Sequence, residues 1–493
     1  MLSSLVVLAS AALLQPAPCS TVRSLTLPDA AITAAEFVAA GTPSSGRGGR
    51  GGVSLPAHCR VALTLTPSAD SRIQMEIWLP TENWNGKFLA VGNGGWAGTI
   101  STDALADGLL RGYATASSDT GHTGGSASFV LGHPEKLIDF GYRAMHEMAV
   151  HSKAIIRAFY SRTPQLSYYQ GCSTGGRQGL MSAQRYPDDF DAIVAGAPVY
   201  NMVHLNVSQV SLQVDMLKNA SRLVPPAKRT LLANAVVAAC DPRDGVTDGI
   251  ISEPRACRFD PVVLACKAGD APDCLTAAQV ENARNVYAPV TTKNGVMVYP
   301  GRSPGFESGW RIPTPGAPIN PLFGDMPRFV GRQDPNWDPM AFDLETDLAL
   351  ALKHGGFIEA SDPDLSRFKA RGGKLLLYHG WADPGPAPEN TINYYEAVRK
   401  TLGGAQDEWM RLFLMPGVGH CGGGVGPDQA DFLGALERWR EQGVAPGRIT
   451  ASRPAGRGGP PPMSRPLCPH PQVARHRGSA STDDAANFAC TAP

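Results

Sequence analysis

The segment Leu166-Ser-Tyr-Tyr-Gln-Gly-Cys-Ser-Thr-Gly175 carries the clearest indication of the fold. An apolar run at 166–170 ends in the motif Gly-x-Ser-x-Gly, and a segment compatible with a helix follows it. This context is typical of a nucleophile elbow, in which flanking glycines permit the sharp turn that lifts a serine hydroxyl above a parallel sheet. The motif alone arises often by chance, but the strand before it and the helix after it indicate that Ser173 is a nucleophile.

A serine is a poor nucleophile at neutral pH, so a histidine base and an orienting carboxylate should follow it in the order Ser, Asp, His. Asp383 and His420 each stand in a loop directly after a short apolar run, where α/β sheets build their sites. We predict that His420 is the general base and that Asp383 orients it. His379 competes for the role of base, but it precedes Asp383 and would reverse the order, so we interpret it either as structural or as a residue that contacts the triad from outside it. Three further options, which we interpret as loop or cap residues, are Asp119, His122 and His133.

Short apolar runs bounded by glycine or proline predict buried parallel strands at 166–170, 192–195, 374–378 and 411–415. Other patterns predict strands at 60–66, 73–79, 87–91 and 113–117, and an amphipathic helix at 143–160. The alternation fades between 200 and 363, where cysteines, prolines and tryptophans accumulate. We therefore predict an α/β-hydrolase fold built from residues 18–199 and 364–493, with an inserted lid domain at 200–363.

The composition limits the class of partner. Among 493 residues, Lys+Arg 44 and Asp+Glu 44 leave no net charge, which removes the long-range field expected of a protein that binds nucleic acid or an acidic membrane. An apolar run at 5–14 predicts a signal peptide over 1–17, and no later run reaches the roughly 18 apolar residues of a membrane span. We expect a secreted or periplasmic protein with a small, weakly charged partner.

Ten cysteines with no Cys-x-x-Cys pair favour a set of disulfides, as expected after export. Reduced cysteines in the core are the alternative. Spacing suggests four pairs and leaves Cys172 and Cys421, each beside a predicted triad residue. The four pairs are Cys19 with Cys59, Cys240 with Cys257, Cys266 with Cys274, and Cys468 with Cys490.

The tetrahedral intermediate of acyl transfer needs two backbone N–H donors. In a nucleophile elbow the residue after the serine, here Thr174, supplies one of them. The glycine-rich turn at 92–95 follows an early predicted strand, so we expect the second donor there. We favour Gly95, with Gly94 as the next choice.

The loop at 240–250 carries three carboxylates and two glycines. Such an oxygen-rich loop suits calcium, although the sequence departs from an EF-hand. A solvated acidic turn is the alternative.

Four longer motifs carry a family resemblance. They are Gly-Cys-Ser-Thr-Gly-Gly-Arg-Gln-Gly at 171–179, His-Gly-Trp-Ala-Asp-Pro at 379–384, Met-Pro-Gly-Val-Gly-His-Cys-Gly-Gly-Gly at 415–424 and Ser-Thr-Asp-Asp-Ala-Ala-Asn-Phe at 481–488. Nearly the whole chain resembles the tannase and feruloyl esterase family, which includes MHETase-like enzymes that hydrolyse mono(2-hydroxyethyl) terephthalate. The resemblance implies a secreted serine esterase that acts on esters of small aromatic acids.

The resemblance also implies a disulfide between Cys172 and Cys421 and a structural calcium ion in the lid. The implied ligands are the side chains of Asp241, Asp244 and Asp248 and the backbone carbonyls of Val246 and Ile250. The triad itself needs no metal.

The substrate depends on the lid. Arg302 and Phe306 resemble the pair with which MHETase-like enzymes hold a terephthalate carboxylate and ring, and a guanidinium suits that bidentate task. An ordinary surface arginine is the alternative, and feruloyl, galloyl and terephthalate esters stay open. Rival functions are a non-catalytic polyphenol-binding protein, which an intact triad argues against, and a peptidase or lipase on the same fold. The oligomeric state has no signal in the sequence.

Overall fold

The computed structural model describes residues 17–43, 53–313, 319–455, 461–478 and 480–493. The predicted leader at 1–17 lies outside this part of the chain, apart from Ala17. The strands are β1 Ala30–Val38, β2 His58–Leu65, β3 Ile73–Pro80, β4 Lys87–Val91, β5 Ala114–Ser118, β6 Leu166–Cys172, β7 Ala192–Gly196, β8 Val290–Thr291, β9 Met297–Tyr299, β10 Lys374–Gly380, β11 Met410–Met415, β12 Gln429–Ala430, β13 Ile449–Arg453, β14 Met463–Leu467, β15 Val473–His476 and β16 Phe488–Thr491. The α-helices are α1 Cys19–Val22, α2 Thr102–Leu110, α3 Pro134–Ile138, α4 Ala144–Tyr160, α5 Thr174–Arg185, α6 Met202–Lys218, α7 Pro226–Cys240, α8 Ala277–Tyr287, α9 Pro321–Asp325, α10 Leu344–Gly355, α11 Ser366–Ala370, α12 Pro388–Leu402 and α13 Phe432–Gln442.

Within the described ranges, nine strands form one mixed sheet in the order β1-β2-β3-β5-β4-β6-β7-β10-β11. The pairs from β1 through β3 to β5 are antiparallel, and every pair from β5 to β11 is parallel. The carboxyl ends of β6, β10 and β11 therefore lie along one edge of the sheet, where open α/β folds bind their ligands. This is the α/β-hydrolase fold that the sequence predicts.

The central strands are covered on both faces. Tyr168 and Tyr169, adjacent on β6, belong to different hydrophobic clusters, and so do Ile193 and Val194 on β7. Successive side chains of a strand point to opposite faces, so each cluster covers one face of the sheet. Burial on both sides explains why these strands are continuous apolar runs.

The strand predictions are confirmed closely in the parallel half of the sheet. The run predicted at 87–91 is β4, and the runs at 166–170, 192–195, 374–378 and 411–415 each differ from β6, β7, β10 and β11 by at most two residues at either end. The helix predicted at 143–160 is α4, which begins at Ala144. The edge strand β1 was missed because its apolar residues do not alternate: its burial mixes half-buried and exposed positions along its length.

The chain leaves the sheet after β7 and re-enters it at β10, although these two strands pair directly. The intervening segment holds α6 to α11 and the small β8–β9 hairpin. One of its apolar clusters, which includes Leu232, Leu275 and Trp310, lies wholly within the segment. Another includes Trp96 and Phe140 of the first part of the chain, so the segment is packed onto the sheet domain.

All ten cysteines are paired, in the four disulfides that spacing suggested and in the Cys172–Cys421 bond that the family resemblance implies. Five disulfides fit an extracellular protein. Among the described helices, none is long and apolar enough to cross a membrane.

Candidate active site

Ser173 stands between the end of β6 and the start of α5, with φ 65° and ψ −122°. A positive φ is costly for a residue with a Cβ and persists only where its surroundings enforce it. A Cβ on Gly171 would lie 2.7 Å from the backbone of Gly175, and one on Gly176 would lie 2.4 Å from the carbonyl oxygen of Gly196. The turn therefore closes only with glycine at these two positions, of which Gly171 is the first glycine of the Gly-x-Ser-x-Gly motif.

The loops after β10 and β11 bring two further side chains to Ser173. His420 Nε2 lies 2.8 Å from Ser173 Oγ, and His420 Nδ1 lies 2.6 Å from Asp383 Oδ2. The Asp383 side chain is fully buried, whereas His420 is 29% exposed. The three residues thus form a continuous hydrogen-bonded chain that leads from a buried carboxylate to an accessible hydroxyl.

The charge of Asp383 is stabilised by its neighbours. Burial by itself raises the pKa of this carboxyl, but His420 and His379 outweigh that effect and lower it from 3.8 to about 2. The backbone N–H of Gly385 also donates to Asp383 Oδ1 over 2.8 Å. The carboxylate is therefore ionised at neutral pH and can stabilise an imidazolium at His420.

The disulfide between Cys172 and Cys421 joins the residue before Ser173 to the residue after His420, with a Cα–Cα distance of 6.0 Å. Cys421 also has a positive φ of 62°. The bond closes a loop of 249 residues between two backbone segments in costly conformations. It therefore fixes the separation of the two loops that carry Ser173 and His420.

Removal of this disulfide should reduce activity and stability together. For the Cys172→Ala/Cys421→Ala variant we expect a lower Tm, because chain entropy lets this disulfide stabilise the fold by at most about 5 kcal/mol, and usually less is realised. We also expect a lower kcat, because the loops that carry Ser173 and His420 are no longer tied together. The matched control is Cys468→Ala/Cys490→Ala, which removes a disulfide outside the triad loops and should affect the melting temperature more than the turnover. Full activity in the first variant would contradict a role for the bond in holding the triad.

One small cavity opens onto Ser173 and His420, and Gly95 and Thr174 line it beside them. The Thr174 hydroxyl donates to the carbonyl oxygen of Gly95 over 2.9 Å, which holds the turn at 92–95 against the start of α5. Gly95 has a φ of 55°. The two residues expected to donate to the oxyanion thus lie on the same cavity wall as the nucleophile.

The remaining walls of the cavity are mostly apolar. They are formed by Val199, Met202, Leu205, Leu322, Phe323, Pro384, Gly385 and Pro386, together with the side chain of Arg311. Arg311 is exposed, and its guanidinium lies 5.9 Å from the ring of Phe323. Arg311 could not be singled out from the sequence, because an arginine in a loop rich in proline and glycine carries no distinguishing signal.

Arg302 and Phe306 do not line this cavity in the described part of the chain. Arg302 is buried, and its guanidinium donates to Gln209 Oε1. Burial lowers the pKa of Arg302 to about 10, partly offset by the nearby charge of Asp383. Phe306 is half-buried and covers Gly309. Their proposed contact with substrate stays a prediction.

A second arginine was also missed. Arg177 on α5 is completely buried, and it donates to the backbone carbonyls of Gly141, Ile358 and Phe140 over 2.8, 2.9 and 3.1 Å. Ile358 lies near the end of the segment between β7 and β10. Arg177 therefore ties the helix that follows the nucleophile to that segment.

The other sequence candidates lie in structural roles. His122 Nε2 is 2.7 Å from the carbonyl oxygen of Trp96, and His133 Nδ1 is 2.6 Å from Asp70. Asp119 accepts from the backbone N–H groups of Gln74 and Gly121.

The acidic loop at 240–250 is closed by its own contacts. Asp241 accepts from the backbone N–H of Gly249, Asp244 accepts from that of Val246, and Asp248 pairs with Arg465. Within the described ranges, no three His, Cys, Asp or Glu side chains come together so as to hold a metal ion. As arranged, the three carboxylates are engaged by backbone N–H groups and by Arg465, so the calcium site that the family resemblance implies stays a prediction.

A parallel-rich sheet, a serine at a strained strand–helix turn and an adjoining Asp–His pair define an α/β hydrolase. The family model for tannase and feruloyl esterase matches residues 59–491. An uncharacterized esterase of Xanthomonas campestris is 36% identical over 96% of this chain and 91% of its own length. A probable feruloyl esterase B-2 of Aspergillus terreus is 35% identical over 96% of this chain and 94% of its own.

The solved structure of feruloyl esterase B from Aspergillus oryzae superposes with a TM-score of 0.89 at 32% identity, covering 96% of this chain and 99% of that one. The chain therefore belongs to the tannase and feruloyl esterase family, and it is a carboxylic ester hydrolase.

Proposed function

We propose that this chain hydrolyses esters of small aromatic acids through an acyl-enzyme on Ser173. The observation that carries the proposal is the hydrogen-bonded chain from Asp383 through His420 to Ser173 Oγ, which ends in a mainly apolar cavity. An apolar pocket with a few polar groups is the usual form of a small-molecule site. The relatives named feruloyl esterases support aromatic acids as the acyl group.

In the proposed mechanism, His420 Nε2 accepts the proton of Ser173 as Oγ attacks the ester carbonyl. The oxyanion then receives hydrogen bonds from the backbone N–H groups of Gly95 and Thr174. His420 returns the proton to the departing alcohol, which leaves an acyl-Ser173. Water, activated by His420 in the same way, then releases the acid.

The direct test of this function is turnover of methyl ferulate, methyl gallate and mono(2-hydroxyethyl) terephthalate by the purified protein. We expect hydrolysis of at least methyl ferulate, with the free acid measured by chromatography. Binding of these esters without release of acid would instead support a non-catalytic polyphenol-binding protein.

A terephthalate monoester is a second candidate substrate, and one observation favours it. Arg311 places a cation on the wall of the cavity that holds Ser173. A guanidinium can pair in bidentate fashion with a carboxylate at the far end of the acyl group.

The two arginines give different predictions for substrate preference. We expect Arg311→Gln to lower kcat/KM for mono(2-hydroxyethyl) terephthalate by a factor equivalent to about 1.5 to 3 kcal/mol, the contribution of a hydrogen bond to a charged group. The kcat/KM for methyl ferulate should fall much less. Arg302→Gln should lower both values alike, because Gln209 holds its guanidinium. A loss confined to the terephthalate ester in Arg302→Gln would show that Arg302 reads the carboxylate, as the family resemblance implies.

Calcium binding at the 240–250 loop is a separate proposal that rests on the resemblance, and it requires Arg465 to release Asp248. A ligand that binds only the folded state adds about 2.7 kcal/mol at a hundredfold excess over its Kd. We therefore expect EGTA to lower the Tm, with recovery on addition of calcium. If EGTA leaves the Tm unchanged and metal analysis finds no calcium, the proposal is wrong. The ion pair between Asp248 and Arg465 then closes the loop instead.

We further propose that the chain is exported, with residues 1–17 as its leader. The five disulfides support this proposal. N-terminal sequencing of the mature protein from the periplasm or culture medium tests it.

A further inference from the structure

His379 is a fully buried histidine at the end of β10, next to the triad but outside the chain from Asp383 to Ser173. Its Nε2 lies 3.1 Å from Asp383 Oδ2 and 3.2 Å from the carbonyl oxygen of Pro386. Its Nδ1 lies 2.7 Å from the hydroxyl oxygen of Thr391. Every polar atom of the imidazole is thus engaged in the protein interior.

These contacts define where the ring carries its hydrogen. A carboxylate oxygen and a backbone carbonyl are acceptors without a hydrogen, so the Nε2 of His379 must be the donor to both. Thr391 has a hydroxyl that can donate to Nδ1 of the neutral ring. Thr391 therefore supports the one tautomer of His379 that can bind Asp383.

The hydrogen on His379 Nε2 contacts two parts of the site, the carboxylate of Asp383 and the backbone carbonyl of Pro386. Asp383 Oδ2 receives His420 Nδ1 over 2.6 Å as well as His379, while its Oδ1 receives the N–H of Gly385. Pro386 and Gly385 line the cavity beside Ser173. His379 thus connects the orientation of the carboxylate with the position of the cavity wall.

We propose that His379 is a positioning residue, which holds Asp383 in line with His420 and couples that alignment to the wall at 384–386. The proposal rests on the function proposed above. Other titratable or charged groups that face Asp383 are His420, Arg302 and Tyr299, and these remain in place when His379 is replaced.

Loss of the hydrogen bond from His379 to Asp383 should shift the pH profile of activity in one direction. The hydrogen bond from His379 draws off part of the negative charge of Asp383, so its removal strengthens the attraction between Asp383 and a protonated His420. The acid limb of kcat/KM, which reports the essential base of the free enzyme, should move upward.

The test compares His379→Leu, His379→Gln and Thr391→Val with the parent enzyme, using methyl ferulate and p-nitrophenyl acetate as probes across pH. We expect His379→Leu to lower kcat/KM about 10- to 100-fold, as loss of a hydrogen bond to a charged group does, and to move the acid limb upward. Gln can place an amide N–H near the position of Nε2, so His379→Gln should recover part of both effects. Thr391→Val should show a smaller change in the same direction.

His151→Leu is the matched control, because His151 is equally a buried histidine but lies on α4. It should leave the acid limb where it is. If His379→Leu fails to fold, the comparison of His379→Gln with Thr391→Val carries the test. An unmoved acid limb in the folded His379 and Thr391 variants would overturn the proposal. Full activity of Ser173→Ala would instead overturn the proposed function, so the two failures are distinguishable.

Discussion

Ser173→Ala should lower kcat by about 10⁴ to 10⁶, because removal of a triad nucleophile leaves only the catalysis supplied by binding and the oxyanion donors. Serine and alanine both carry a Cβ, so the backbone cost of the positive φ at position 173 is similar in the two proteins. We therefore expect the variant to fold and to melt near the parent. Hydrolysis of methyl ferulate under single-turnover and steady-state conditions measures the loss.

Ser182→Ala is the matched control for this prediction. Ser182 lies on α5, the helix that follows Ser173; it is buried and donates to the backbone carbonyl of Gln178 over 3.0 Å. Its replacement should change stability slightly and kcat little. Near-parental activity in Ser173→Ala would contradict the acyl-enzyme mechanism outright.

Asp383→Asn has the second largest expected effect, a loss in kcat of about 10³ to 10⁴, since an amide cannot stabilise the imidazolium and favours the wrong imidazole tautomer. The side chains of aspartate and asparagine are nearly the same size, so a change in packing cannot account for a loss in kcat of this magnitude. A pH profile of kcat and kcat/KM for the two proteins checks the prediction.

A related expectation concerns the pH dependence of the parent enzyme. The pKa of Asp383 in the folded protein is about 2, below its ordinary value of 3.8, so the group stabilises the fold above about pH 4 and that contribution disappears as pH falls toward 2. Loss of activity between pH 5 and 7 therefore cannot come from protonation of Asp383.

The matched control for Asp383→Asn is Asp139→Asn, which also removes a buried carboxylate and should keep most of the activity. A loss of kcat in Asp139→Asn equal to that in Asp383→Asn would contradict the special role of Asp383.

Much of the fold was readable from the sequence because buried parallel strands leave a strong signal. The runs that became β4, β6, β7, β10 and β11 are short, apolar and bounded by turn residues, and burial on both faces requires that pattern. The edge strand β1 gave no such signal, since its side chains are half-buried or exposed along its length.

The triad positions were predictable for the same reason. Ser173, Asp383 and His420 each follow a strand whose end is marked in the sequence, and parallel strands bring their carboxyl ends to one edge of the sheet. Sequence order and local turn chemistry were therefore enough to nominate the three residues. The distances that join them depend on the tertiary structure.

The surroundings of the triad were decided by tertiary structure alone. Arg302 was expected to face the substrate, yet its guanidinium is held by Gln209, while Arg311 lines the cavity. The sequence leaves open whether His379 is purely structural or contacts the triad, and the loop after β10 places its Nε2 3.1 Å from Asp383 Oδ2.

Local patterns of burial and turn geometry specify the positions of the parallel strands along the chain, the elbow at Ser173 and the four spacing-based cysteine pairs. The packing of distant elements holds Arg302 against Gln209 and places Arg311 on the wall of the cavity beside Ser173. Those contacts join residues that lie far apart in the chain, such as Arg302 and Gln209 at a separation of 93. No local pattern specifies such a contact, because it depends on how whole elements pack together.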